Sequence, residues 1–168
     1  MENTQQLIFP ELIEANEFGG NFQNYFKAVY AIFENDFIKS QPKYEGLKVS
    51  AQKHPEVDGI HRTFYHITHE GEDEAERTPD YRRMERIRFP KFFITNYEHS
   101  EILIWENTRG RDTRVLLFNY VEGYIVILTK REGYYLFWTA YLVQQEHRKN
   151  KLLKEYETYI KAKTAQRN

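Results

Sequence analysis

Apolar positions recur along this chain with two different periods, and the change of period divides it. Phe22, Tyr25, Phe26, Val29, Tyr30, Phe33 and Phe37 fall at helical spacing. They predict an amphipathic helix over 21–39 whose wide aromatic stripe faces the core. Gly19-Gly20 and a candidate N-cap, Asn21, open it, and Ser40-Gln41-Pro42 closes it. From Phe92 onward the pattern becomes that of strands. After the short apolar run Phe92–Thr95, the segments 101–107, 113–120, 124–131 and 134–143 are rich in Ile, Val, Leu, Tyr, Phe and Trp. Their breaks, Arg109-Gly110, Glu122-Gly123 and Glu132-Gly133, are too short for parallel crossovers, so the strands should pair antiparallel in sequential order. A last helix is expected over 144–163, with Leu152, Leu153, Tyr156 and Ile160 as its apolar stripe.

The middle of the chain is less regular. Residues 40–63 read as a polar loop with Pro42, Gly46, Pro55 and Gly59, in which Lys48-Val49-Ser50 can form a short strand. A further helix is expected from Thr78 as N-cap and Pro79 in its first turn to about Arg88, before Pro90. The expected fold class is α+β, with N-terminal helices packed on a four-stranded antiparallel meander sheet and a C-terminal helix. The 168 residues suit one domain, with 1–20 as an arm.

Composition narrows the function classes. Aromatics are 16% of the chain, with 13 Tyr and 12 Phe, which argues against wholesale disorder. The formal net charge of −1 excludes a globally basic nucleic-acid binder but leaves a local basic patch open. There is no cysteine, hence no disulfide, thiol nucleophile or Cys-based zinc site, as suits a reducing compartment. No apolar run is long enough for a membrane helix, and the start Met1-Glu2-Asn3-Thr4 is unlike a signal peptide. Cytoplasmic residence and no membrane partner are the expectation.

Three features can carry chemistry. His54, His61, His66 and His69 cluster, and histidine titrates where it can both give and take protons. His66 and His69 have i, i+3 spacing, but no zinc motif surrounds them, and polar-loop histidines look the same. Arg82, Arg83, Arg86 and Arg88 are suited to phosphate through forked donors, or to ion pairs with Asp80, Glu85 and the acidic run 70–76. On the last strand, alternation puts Leu136, Trp138, Ala140 and Leu142 on the helix-facing side. Tyr135, Phe137, Thr139 and Tyr141 then fall on the other, where rings and hydroxyls suit base stacking and phosphate contact. A two-residue turn at Glu132-Gly133 pairs Lys130 with Tyr135 and places it on the Thr139 and Tyr141 face; a bulged turn moves it off. The last segment, 147–168, carries seven Lys or Arg against two acids, a weak attraction to a polyanion.

In combination, His-Pro-x-x-Asp-Gly (54–59), Phe-x-His-Ile-Thr (64–68), Arg-x-Pro-Asp-x-x-Arg-x-x-Arg-Ile (77–87), the meander, Thr-Ala-Tyr (139–141) and a Lys-Leu-Leu-Lys helix resemble the phage-associated Barnase–EndoU–colicin–RelE-like nucleases and the small phage-related proteins grouped with them. The likeness covers roughly 48–160, so 48–163 is expected to be a nuclease-like core. It implies metal-independent RNA cleavage of toxin or phage-defence type, by 2′-OH attack on phosphate, with no cofactor and with RNA and a neutralising antitoxin or immunity protein as partners. The implied site is His66, Arg82 or Arg86, Thr139 and Tyr141, with His61 and Lys130 as additional candidates. One departure stands: no second acid–base residue is evident on the sheet. That leaves a non-catalytic nucleic-acid or protein-binding module as the alternative.

Overall fold

The computed structural model describes residues 5–167. The polar start read as unlike a signal peptide, and the beginning of the 1–20 arm, lie outside the described residues. A 3-10 turn, Ala15–Phe18, leads to α1 (Phe22–Phe33), where the Asn21 side chain accepts a hydrogen bond from the Asn24 N–H. A π-helical turn, Glu34–Ile38, extends it, so the apolar stripe runs unbroken and buries Tyr25, Val29, Phe33 and Phe37. Next come β1 (Lys43–Tyr44), β2 (Leu47–Ala51), α2 (Arg62–Thr68), β3 (His69–Glu70), β4 (Thr78–Pro79), α3 (Tyr81–Glu85) and α4 (Phe89–Thr95). The chain ends in β5 (Leu103–Arg109), β6 (Asp112–Asn119), β7 (Tyr124–Arg131), β8 (Tyr134–Leu142) and α5 (Glu146–Arg167).

The expected meander is present: β5, β6, β7 and β8 pair antiparallel in sequence order. It is not the whole sheet. β2 joins β8 in parallel, with Val49 opposite Tyr135, and β1 pairs antiparallel with β2. The fold is therefore α+β with a curled, six-stranded mixed sheet in the order β1-β2-β8-β7-β6-β5. The long excursion between β2 and β8 is what permits a parallel partner.

Both faces of the sheet are covered. The larger core lies between one face and α1, α2, α3 and α4, and includes Phe33, Phe64, Met84, Phe93, Val126 and Phe137. The smaller core lies on the opposite face under α5, where Leu152, Tyr156 and Tyr159 meet Trp105, Leu116, Phe118 and Ile127. Ile160, expected in that stripe, is 37% exposed.

Two helices differ from expectation. Phe92–Thr95 is helical, inside α4, because Pro90 starts this helix rather than ending the one before it. Thr78 and Pro79 form β4 against β3, and the N-cap is Asp80, whose carboxylate accepts from the Arg82 and Arg83 N–H groups. The 78–88 helix is thus shortened to Tyr81–Glu85.

A bulge in β8 redirects the last strand. Thr139 pairs with Ile127 and Phe137 with Leu128, which leaves Trp138 as the extra residue. Alternation inverts across it. Tyr135 and Phe137 face the larger core together with Ala140 and Leu142, while Thr139 and Tyr141 face the α5 side. Leu136 and Trp138 are not core-facing as alternation alone predicts; Trp138 is 46% exposed. Among the described residues no helix is long and apolar enough to cross a membrane.

Candidate nucleic-acid interface

On the α5 side of the sheet, β8 and the segment 66–83 face each other across a groove of about 390 Å³. One wall is Trp138, Thr139 and Tyr141 of β8. The other is His66 from α2, Glu70 from β3, Arg77 and Arg83, with Arg109 and Arg114 closing the end at the β5–β6 hairpin. The β3–β4 pairing makes this possible: it folds the acidic stretch back on itself and brings Arg77 beside His66.

Three of the expected site residues therefore meet: His66, Thr139 and Tyr141. The others do not join them. Arg82 lines the adjoining cleft instead. Arg86 donates to the Arg82 carbonyl, pairs with Glu85 and lies over the Phe89 ring, because the short α3 turns it toward the helical layer. His61 is buried, edge-on to Phe33, at the start of α2. Lys130 does pair with Tyr135 across a two-residue turn, but the bulge sends Tyr135 to the other face. Lys130 sits there in an ion pair with Glu106 at 2.6 Å.

The arginines that do line the groove are individually placed. Arg83 donates to the His69 carbonyl at 3.1 Å and pairs with Asp80 at 3.3 Å. Arg114 Nε donates to Asn107 Oδ1 at 3.0 Å, and Asn107 Nδ2 donates in turn to Glu155 of α5 at 2.8 Å. Trp105 Nε1 shares that carboxylate oxygen at 3.0 Å. This chain fixes which way the Asn107 amide points and holds Arg114 from behind. Arg109 is exposed at the strand end. Four guanidinium groups and one carboxylate, that of Glu70, line the groove, and among the described residues only Arg83 of the four is ion-paired, with Asp80, in a protein whose formal net charge is −1. Such a local excess favours an anionic ligand.

His66 has a defined chemical state. Arg77 donates to its Nδ1 at 2.9 Å. A guanidinium only donates, so Nδ1 carries the lone pair and the neutral ring holds its proton on Nε2. Burial, and then the Arg77 charge, lower its pKa below the ordinary histidine value. The Glu74 carboxylate stands 3.9 Å from the same Nδ1 and opposes that shift. Glu74 is itself held by Arg62, which lowers its own pKa. His66 is therefore a neutral hydrogen-bond donor with a carboxylate in reserve. His69 stacks on Tyr65 and holds Nδ1 against the Tyr65 carbonyl, so the two histidines do not converge. Among the described residues no three His, Asp or Glu groups gather as metal ligands.

Arg83 is among the arginines that the sequence marks as suited to phosphate but is not in the site the resemblance implies, and sequence reasoning does not single out Glu70, Arg77, Arg109 or Arg114. Strand parity held a usable signal for two of them. Arg109 shares the parity of Trp105, and the two-residue Gly110-Arg111 loop puts Arg114 opposite Asn107. No family model, curated protein or solved structure matches this chain.

Proposed function

We propose that this groove binds the phosphodiester backbone of RNA. The observation that carries the reading is the set of four arginines around a groove that also holds the Thr139 and Tyr141 side chains and the exposed Trp138 ring. Forked guanidinium donors suit phosphate oxygens, and an exposed indole offers a face to a base. The preference for RNA over DNA comes from the sequence resemblance, so a DNA strand of the same sequence is the control. Anisotropy of a labelled single-stranded RNA tests the reading. Affinity should fall with rising salt. Arg109→Ala should weaken binding and flatten that dependence by about 0.7 in log–log slope for each phosphate that Arg109 neutralises. Equal affinity in wild type and in Arg83→Ala and Arg109→Ala variants refutes it.

Cleavage of the bound strand is the second reading, favoured by Glu70 and His66 lining one groove. Glu70 would take the 2′-OH proton as O2′ bonds to phosphorus. The bond to the 5′-oxygen would break, with that oxygen taking the Nε2 proton of a cationic His66, to leave a cyclic phosphate and a neutral ring. The resting state opposes this, since His66 is neutral and its Nδ1 is occupied by Arg77. A bound phosphate that draws Arg77 away frees Nδ1 to carry a proton toward Glu74. Incubation of RNA with the protein in EDTA distinguishes the two readings. Cyclic phosphate ends, formed about 10²–10⁴ times more slowly by His66→Ala and more slowly as pH rises, mark cleavage. Intact RNA with retained binding marks a binding module.

A further inference from the structure

The groove does not end at Arg83. Glu70 and Arg83 also wall a second cleft, of about 470 Å³, whose other sides include Tyr81, Arg82 and Gln144. Its second carboxylate, Asp80, is already occupied: one oxygen accepts the Arg82 and Arg83 N–H groups, and the other faces Arg83 Nε at 3.3 Å. The Arg82 side chain is exposed, and among the described residues the hydrogen bonds of Arg82 are made by its main chain. Beside it, Tyr81 is 49% exposed. One face of its ring is backed by the buried Tyr25, nearly parallel at 11° with centroids 6.1 Å apart. Phe22 meets the same ring edge-on, with centroids 6.1 Å apart, and Tyr81 lines the second cleft; a half-exposed ring held in this way is a platform for a flat group. Trp138, at 46% exposed, stands in the first cleft, set out of the strand pleat by the bulge.

We propose that the two clefts form one track for a single-stranded nucleic acid, spanning at least two consecutive phosphates. Arg83 is shared between the clefts, Arg82 takes the second phosphate, and Trp138 and Tyr81 each carry a base. A duplex, whose bases are stacked within it, has no base face to offer either ring and is excluded. This inference rests on the groove reading above and extends it to strand state and length.

The two tryptophans make the test simple. Trp105 is 1% exposed and Trp138 46%, so quenching by a stacked base reports on Trp138. The probes are 2′-O-methyl uridine as a mononucleotide and as a tetranucleotide, which lack the attacking hydroxyl, and a matched duplex. The tetranucleotide should bind at least about tenfold more tightly than the mononucleotide. Tyr81→Ala should weaken the tetranucleotide about 5- to 150-fold, the usual range for one stacked base, and leave the mononucleotide unchanged. Arg82→Ala should act in the same selective way, Arg83→Ala should weaken both ligands, and Tyr81→Phe, which keeps the ring, should bind as wild type. The duplex should bind more weakly than the tetranucleotide. Equal affinity for both single-stranded probes, or Tyr81→Ala and Arg82→Ala variants that bind the tetranucleotide normally while Arg83→Ala does not, overturns the track and leaves the groove standing. No binding of any probe by the wild type overturns the groove reading itself.

Discussion

Removing the Glu155 side chain should damage both the fold and the groove, although Glu155 lies on α5 and not among the groove residues. Its Oε1 accepts from Trp105 Nε1 at 3.0 Å and from Asn107 Nδ2 at 2.8 Å. Hydrogen bonds to a charged group contribute about 1.5–3 kcal/mol each, and a buried donor left without an acceptor costs about 1–3 kcal/mol. Trp105 is 1% exposed, and its Nε1 depends on this carboxylate for its partner. The Asn107 amide can recover part of its loss by turning toward solvent. Glu155→Ala should therefore cost about 2–4 kcal/mol, or roughly 4–16 °C in Tm for a chain of this size. Glu155→Gln keeps a neutral acceptor and should lose about half as much. Urea unfolding followed by tryptophan fluorescence and circular dichroism measures both. Asn107 also accepts from Arg114 Nε at 3.0 Å, so a double-mutant cycle between Glu155→Ala and Asn107→Ala should show a coupling of about 0.5–3 kcal/mol. A Glu155→Ala protein within about 0.5 kcal/mol of wild type, close to the effect of an ordinary surface substitution, refutes the reasoning.

Gly123→Ala should destabilise by more than the ~1–2 kcal/mol of a left-handed backbone, because φ is +65° and an added Cβ would lie 2.5 Å from the Val143 carbonyl oxygen; thermal melts check this, and an unchanged Tm contradicts it. His61, His66 and His69 all have pKa values lowered chiefly by burial, so the unfolded chain binds more protons near their ordinary value of 6.5. Stability should accordingly be complete above about pH 7 and fall as pH drops below the ordinary histidine value of about 6.5, and a flat profile there would contradict the three assignments. In nitrogen-detected NMR, His66 should show a proton on Nε2 in the free protein and an upward pKa shift when inorganic phosphate or RNA engages Arg77; an Nδ1-protonated resting ring is the opposing result.

The meander is legible in the sequence because its strands are long and strongly apolar and are separated by short Gly-bearing turns, which leave one way to pair. α1 is legible for the equivalent reason at helical period. β2 is legible as a short strand at 48–50, but its place in the sheet is not: in Leu47–Ala51 only Val49 is buried, and the parallel partner lies more than eighty residues on. Phe92–Thr95 is a run too short to tell helix from strand, and the information lies in Pro90, which fits a helix start as well as a stop. The Trp138 bulge has no glycine to announce it, yet one extra residue inverts every side chain after it. That inversion keeps Thr139 and Tyr141 at the groove and removes Lys130 from it. The arginine spacing suggests one shared face of a long helix for Arg82 and Arg86, whereas α3 spans little more than a turn and Arg83 is the side chain turned inward.

The central claim, that the groove between β8 and the segment 66–83 is where a single nucleic-acid strand lies, is tested most directly by mapping amide shifts while a 2′-O-methyl RNA tetranucleotide is titrated into the labelled protein. Perturbations should concentrate at Glu70, Arg77, Tyr81 to Arg83 and Trp138 to Tyr141, and should be reversed by salt. Shifts confined to the basic face of α5, with those residues unmoved at saturation, would contradict it.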